Sequence, residues 1–194
     1  MSRTRLEAFS DAVIAIILTI MVLEMKVPHG HDFAVLKPIV PVFFSYVLSF
    51  VYLGIYWNNH HHMLHTVRTV TGPMLWANLH LLFWLSLVPF CTGWMGENHF
   101  DSEPAALYGA VLLMSAIAYW ILQELIIKAQ GPDSLLYRAV GRDWKGKLSP
   151  LFYIVAIVAA FWSKWISMAL YVAVALIWLV PDRRIENALK QEER

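Results

Sequence analysis

The stretch RLEAFSDAVIAIILTIMVLEM, from Arg5 to Met25, decides the fold class, because its apolar centre is long enough to cross a lipid bilayer. A membrane-spanning helix needs roughly 20 mostly apolar residues, a length that this stretch reaches. Its apolar run opens on Phe9, Ser10 and Asp11. A carboxylate at the start of a membrane helix is costly, so Asp11 is expected to have a polar partner and a purpose.

The composition of the whole chain agrees with a membrane protein. Of its 194 residues, 59% are hydrophobic and 15% are charged, and the mean hydropathy is +0.55. These values are too apolar for a soluble domain of this size. The net charge of +1 gives no indication of nucleic-acid binding, and the single cysteine, Cys91, rules out a disulfide within one chain.

Hydropathy along the chain predicts an all-α membrane protein with six transmembrane helices. The region 148–181 is apolar except for Lys164. As one helix it would extend ~51 Å, whereas a hydrocarbon core is ~30 Å thick. We therefore predict two short helices that turn at FWSKWIS, where Trp162 and Trp165 flank the lysine as interfacial residues do. The six predicted spans are about 5–25, 38–58, a segment within 69–96, 104–123, 148–162 and 165–181.

The distribution of Lys and Arg predicts the orientation. Twelve of the 15 Lys and Arg residues lie on the side of the N-terminus, and only Lys26, Lys37 and Lys164 lie on the other. By the positive-inside rule both termini are cytoplasmic, in a multi-pass protein of the cell membrane. Residues 1–181 form one membrane domain, and residues 182–194 form a short charged cytoplasmic tail. A polar connection, residues 128–147, precedes the fifth span. Gly131, Pro132, Gly141 and Gly146 predict that it is a loop with room for one short helix.

Catalytic and metal-binding motifs are weak or missing. The sequence contains no phosphate-binding glycine loop, nucleophile elbow, HExxH or CxxC motif, and no TVGYG-type filter. His61 and His65 share a helix face, but no cysteine or carboxylate nearby completes a tetrahedral metal site. The favoured interpretation is that this histidine cluster meets the negative end of the second helix. We therefore expect no enzyme activity, no metal and no cofactor. The simplest interpretation of Glu124 is that its side chain snorkels to the interface or pairs with another group.

Helical periodicity divides the first helix into two faces. At 100° per residue, Val13, Ile16, Ile20 and Leu23 share one face, with Thr19 about 60° away. Ser10 and Asp11 lie about 120° and about 140° from that face, on opposite flanks, and are expected to point into neighbouring helices. Periodicity alone favours plain contact with lipid or core for the aliphatic stripe. The candidate polar partners in other spans are Asn58, Asn59, His60, Asn78 and His80, with His60 and Asn78 preferred.

The motif RLEAFSD follows the pattern Arg-x-x-x-Phe-Ser-Asp, here Arg5, Phe9, Ser10 and Asp11. With six spans in about 200 residues, the chain resembles the bacterial branch of the endosomal/lysosomal potassium channel family, transmembrane protein 175. Weaker similarities are YWNNHH at the end of the second span and LWANLHLLFWLSLVPF in the third. In the third span the similarity falls on Trp76, Asn78, Pro89 and Phe90.

This resemblance implies a homotetramer without a pore loop, in which the first helix of each subunit lines a central pore that conducts K⁺ through the bilayer. By position it implies a constriction at Ile16, selectivity at Thr19, and further rings at Ile20 and Leu23. Arg5, Phe9, Ser10 and Asp11 would anchor the pore helix. We expect Arg5, near the pore face, to pair with Glu7, with Asp11 of a neighbour or with helix C-terminal carbonyls.

Two other classes of function remain open on sequence alone. A secondary transporter or proton-coupled carrier would titrate Asp11, Glu124 and His80, but the membrane region holds few ionisable groups and no inverted repeat is evident. An intramembrane, metal-dependent enzyme would need a second ligand set beside the histidines. The channel is therefore the preferred prediction.

Overall fold

The first helix, α1, covers Arg3–Ile20 and begins at Ser2, whose side-chain oxygen accepts a hydrogen bond from the backbone N–H of Arg5 at 3.4 Å. This cap satisfies one of the N–H groups that a helix start leaves without a partner. The next turn, Met21–Glu24, is a tighter 3-10 helix. The predicted span 5–25 is thus one helical segment that changes pitch after Ile20.

Proline residues mark the starts and the interruption of the next helices. A 3-10 turn, Phe33–Ile39, leads into α2, Val40–His65. The predicted third span consists of two helices, α3 (Gly72–Ser86) and α4 (Val88–Glu97), which meet at Leu87. Pro89 lacks the N–H that would continue the backbone ladder, which explains the interruption. The prediction of one span there misses this interruption.

The second half of the chain contains one long and three shorter helices. Helix α5, Ser102–Gln130, is longer than the predicted 104–123 and ends at Gly131, whose φ of +86° suits glycine. The connection holds a short helix, α6, Leu135–Val140. Helices α7 (Trp144–Ala160) and α8 (Lys164–Leu179) follow, and the chain turns at 161–163, within the predicted FWSKWIS.

This computed structural model describes residues 2–131, 134–140 and 144–179, and all regular structure within those ranges is helical. Pro132, Gly141 and Pro181, like the predicted tail 182–194, lie outside them. Four helical segments are long and apolar enough to cross a membrane: Arg3–Glu24, Phe33–His65, Gly72–Glu97 and Ser102–Gln130. Two shorter apolar helices, Gly146–Ala160 and Lys164–Leu179, correspond to the last two predicted spans.

Polar bonds join the helix ends into two groups at opposite ends of the molecule. At one end Arg3 donates from Nη1 to the His65 carbonyl at 2.9 Å. At the other end the Lys26 ammonium lies 2.6 Å from Glu97, and this hydrogen bond raises the pKa of Lys26 above its usual value. Lys164 reaches Asp101 at 3.2 Å, so this lysine has an acidic partner.

The helices pack so that α1 lies on one side of the subunit. It contacts α2, α3 and α4, whereas α7 packs against α5 and α8. A buried tyrosine cluster connects α5 and α8 to α2. Tyr52 donates to the Tyr171 carbonyl at 2.6 Å, and Tyr171 donates to the Ala105 carbonyl at 2.9 Å. Both tyrosines are almost fully buried.

Gly109 makes room for this cluster on α5. A Cβ at this position would overlap the hydroxyl of Tyr171 and lie 2.8 Å from Cγ1 of Ile157. Because Tyr171 is held by its hydrogen bonds, it cannot move away without losing them. We expect Gly109→Ala to lower the free energy of unfolding by about 1–3 kcal/mol through overpacking, measured by thermal unfolding in detergent.

Gly54 provides the matched control, since it lies inside α2 with no atom within 4 Å of the position that a Cβ would take. Gly54→Ala should leave stability unchanged or raise it by about 0.5–1 kcal/mol, the usual helical preference for alanine. Equal effects of the two substitutions would contradict the close approach of α5 to Tyr171.

Candidate functional site

The first helix has one buried face and one exposed face. Side chains on the buried face contact α2, α3 and α4, and side chains on the other face are open in the single subunit. The buried residues are Leu6, Ser10, Ile14, Ile17 and the following Met21. The exposed apolar residues include Phe9 at 46%, Ile16 at 56%, Ile20 at 45% and Leu23 at 74%, and Thr19 is exposed beside them.

The exposed face combines branched apolar side chains with one oriented hydroxyl. Thr19 Oγ1 donates its proton to the Ile16 carbonyl at 2.9 Å, so its oxygen keeps lone pairs that can face a cation or water. Ile20 and Leu23 stand at the change to 3-10 geometry, in which residues three apart come into line. Along the exposed face, the aliphatic side chain of Ile16 is thus followed by the Thr19 hydroxyl and then by the aliphatic side chains of Ile20 and Leu23.

A buried polar network holds the opposite face. Asn78 of α3 donates from Nδ2 to Ser10 Oγ at 2.9 Å, and its Oδ1 lies 2.7 Å from His60 Nε2 of α2. Ser10 in turn donates to the Leu6 carbonyl at 2.8 Å. His60 and Asn78, the preferred partners in the sequence analysis, therefore join α1 to both neighbouring helices through Ser10.

Asp11 has a partner outside the set expected from the sequence. Trp57 Nε1 of α2 donates to Asp11 Oδ1 at 3.0 Å. This partner is none of the expected candidates, which were Asn58, Asn59, His60, Asn78 and His80. The indole of tryptophan can only donate a hydrogen bond, which suits a carboxylate. Trp57 lies three residues before His60, one of the expected partners. The position of Trp57 in the sequence indicates a possible donor for Asp11. The expected partners included only asparagine and histidine side chains and therefore left it out.

The other candidate partners are engaged elsewhere. Asn59 donates to the Ile55 carbonyl of its own helix at 2.8 Å, and His80 accepts from Trp84 Nε1 at 2.9 Å. Each bond spans one turn of a single helix, so neither residue is bound to α1 by it. Amide and imidazole groups in helices often satisfy themselves locally in this way, which sequence patterns do not distinguish from bonds between helices.

Arg5 and Phe9 lie on the exposed face of α1, close to the direction of Ile16. Phe9 is 46% exposed, so it is not covered by a neighbouring helix of the same chain. Two turns of the same helix end carry a related contact, since Arg3 lies 3.4 Å from Glu7 and bonds the His65 carbonyl.

A ladder of rings lines the end of α2 beside this motif. Trp57 stacks on His61, and His61 stacks on His65, with centroids 6.2 Å and 6.0 Å apart. His65 Nδ1 lies 3.9 Å from Glu7 Oε1. Within residues 2–131, 134–140 and 144–179, no group of three or more His, Cys, Asp or Glu side chains is arranged to hold a metal ion.

The four residues that carry the weaker similarity in the third span differ in exposure. Trp76 and Phe90 are 75% and 61% exposed, while Asn78 and Pro89 are buried. Glu124 is exposed near the end of α5. Asn78 bonds Ser10 of α1 and lies beside His60 of α2, so the part of the third span that contacts the first helix carries a polar residue.

Together these features define an all-helical, multi-pass membrane protein whose first helix is fastened on one face by polar bonds and open on the other. The profile of the endosomal/lysosomal potassium channel TMEM175 family matches residues 5–89, which include the whole motif and its buried partners. This chain belongs to the TMEM175 family. A bacterial relative that matches almost the whole chain supports this membership. That family consists of ion channels rather than enzymes.

Relatives and a solved structure agree with this membership. A potassium channel from Chryseobacterium sp. (strain P1-3) is 54% identical over 98% of this chain and 100% of its own length. The crystal structure of a lysosomal potassium-selective channel TMEM175 homolog from Chamaesiphon minutus superposes with a TM-score of 0.78 at 26% identity, covering 93% of this chain and 97% of that one. The bovine endosomal/lysosomal proton channel TMEM175 is 29% identical over 61% of this chain and 27% of its own length.

Proposed function

We propose that this protein is a potassium channel of the cell membrane. Its membership in the TMEM175 family and the full-length match to a bacterial potassium channel carry this conclusion. K⁺ is the permeant ion, and the lipid bilayer surrounds the membrane-spanning helices. We assign it no cofactor, no resident metal and no nucleic-acid partner.

The proposed assembly is a homotetramer in which four copies of α1 surround a central pore. The exposed face of α1 supports it, since Ile16, Thr19 and Leu23 project from the subunit while Ser10 faces inward. Each subunit contributes six transmembrane helices and no pore loop, counting α3 with α4 as one span. Residues 1–181 form the channel domain, and residues 182–194 form a short charged tail.

In this arrangement Ile16 forms the narrowest ring. A ring of branched apolar side chains blocks ions by dewetting, because no oxygen there replaces the hydration shell of a cation. Thr19 lies next to it and offers lone pairs to the ion or its water. Ile20 and Leu23 extend the aliphatic lining toward the end at which Lys26 pairs with Glu97.

Ser10 and Asp11 have the role of anchors. Their bonds to Asn78 and Trp57 hold the buried face of α1 against the rest of the subunit. The pore face can then be fixed toward the axis. Arg5 lies at the mouth of the pore, where pairing with an acidic group of a neighbouring subunit would remove the repulsion among four guanidinium groups.

The proposed orientation places both termini in the cytoplasm. Residues near Arg3, His65 and Gln130 gather at one end of the molecule, and Arg68 N–H bonds Gln130 Oε1 there at 3.2 Å. Arg3, Arg5, Arg68 and Lys128 lie toward this end, as expected for the cytoplasmic side.

Current recording from purified protein in planar bilayers tests the function. Under a potassium gradient we expect resolvable unitary currents that reverse near the potassium equilibrium potential. Replacing K⁺ by the large cation N-methyl-D-glucamine is the control and should abolish inward current. Reversal at the proton equilibrium potential would assign another ion, and flux without unitary currents would favour a carrier.

A further inference from the structure

A pocket lined by aromatic rings lies on the side of the subunit away from α1. It has a volume of about 560 Å³, its open mouth included, and is formed by residues of α2, α5, α7 and α8. Pockets between helices that bind small molecules fall in this range. None of its described lining residues is charged. Six of them are aromatic: Tyr52, Tyr56, Tyr119, Trp120, Tyr153 and Trp178.

A buried polar side chain in this aromatic pocket has no hydrogen-bond partner among the described residues. Gln123 of α5 is only 6% exposed and lines the pocket, and within the part of the chain that the structure describes its carboxamide makes no hydrogen bond. A buried amide without a partner is costly, and hydrocarbon chains offer neither a donor nor an acceptor. Gln123 therefore points to an occupant that can supply both.

The neighbouring polar groups narrow the chemistry of that occupant. Asn59 already donates to the Ile55 carbonyl at 2.8 Å, and Ser149 Oγ accepts from Trp178 Nε1 at 2.7 Å. Because no described lining residue carries a charge, a charged ligand would find no counter-ion among them, which disfavours it. The aromatic walls suit a flat apolar body.

We propose that the aromatic pocket binds one uncharged amphiphilic molecule with a ring-like apolar body and a hydroxyl or amide group directed at Gln123. The hydroxyl or amide accepts from the carboxamide NH₂ and donates to its carbonyl oxygen. The lining residues of α2 and α5 lie toward the ends of those helices at which His65 and Gln130 stand, so the molecule enters from that half of the bilayer. This site does not depend on ion conduction.

Photolabelling of the purified full-length protein in lipid nanodiscs tests the proposal, with a trifluoromethyl-diazirine derivative of benzyl alcohol as the probe. We expect saturable labelling of peptides from α5, α7 and α8, which unlabelled benzyl alcohol prevents. Gln123→Leu should weaken apparent affinity about tenfold by removing the hydrogen bond. Ala116→Phe should abolish saturable labelling, since Ala116 lines the pocket and a phenyl ring there would fill it.

Gln130→Leu is the matched control, because Gln130 lies on the same helix but not in the pocket lining. It should label like the wild type. Labelling that is scattered, does not saturate or persists unchanged in both pocket variants would overturn the proposal and leave water as the partner of Gln123. The wild-type measurement decides the matter even if a variant fails to fold.

Discussion

Ile16→Asn is expected to raise the open probability of the channel at least about tenfold and to weaken its discrimination between potassium and sodium. In the proposed tetramer, an asparagine amide would wet the constriction that a ring of isoleucine keeps dry. A tenfold change corresponds to ~1.4 kcal/mol in the opening equilibrium, and four side chains change at once. Ile16→Ala, which widens the ring without making it polar, should produce a smaller change in the same direction. Single-channel recording measures both quantities.

Ile154 of α7 supplies the matched control. It is 49% exposed, close to the 56% of Ile16, but lies on a helix that packs against α5 and α8 rather than against α1. Ile154→Asn should reduce expression or stability without changing open probability. If the two substitutions behave alike, Ile16 faces lipid, and the pore assignment is wrong.

Chemical modification separates the two interpretations further. The chain has one native cysteine, Cys91, which is buried, so the wild type should resist a water-soluble thiol reagent. Ile16→Cys should then make the current sensitive to that reagent. Insensitive current from the cysteine variant would place position 16 outside the conduction path.

Asn78→Ala is expected to cause the largest loss of stability among single polar substitutions around α1, about 1–3 kcal/mol. It removes the donor to Ser10 and the partner of His60 in one step, inside a region where few other groups can replace them. Hydrogen bonds in membrane proteins average less than this, up to ~1.7 kcal/mol each, but two bonds are lost. Denaturant unfolding in detergent and the yield of assembled protein measure the effect.

Asn98→Ala is the control for this substitution. Asn98 is exposed and bonds the Trp94 carbonyl of its own helix end, at 2.8 Å, so its loss should be nearly silent. Asp11→Ala should fall between the two, because Asp11 is partly exposed and has Trp57 as its partner. Normal stability of Asn78→Ala would show that Ser10 and His60 do not need this amide.

The coupling between the two helices can be measured directly. Ser10 and Asn78 share one hydrogen bond, so the effects of Ser10→Ala and Asn78→Ala should not add. The double variant should be less destabilised than the sum of the two. Additive effects would indicate that each side chain finds a different partner, and the anchor proposed for α1 would then need another basis.

The sequence by itself determined the class of the protein, the number of apolar segments and the two faces of the first helix. These properties are local: hydropathy acts over about 20 residues, and the helical period relates side chains a few residues apart. The turn near Lys164 was predictable for the same reason, since one helix of that length exceeds the bilayer. The motif from Arg5 to Asp11 carried the family membership.

Only the tertiary structure decided which polar groups meet. The bond from Trp57 to Asp11 and the network of Ser10, Asn78 and His60 depend on the rotation and axial shift of α2 and α3 against α1, which no local pattern encodes. The same holds for the aromatic pocket, because four helices separated in sequence must converge to form it around Gln123. Inter-helix register is set by the packing of whole surfaces, and one sequence records it only indirectly.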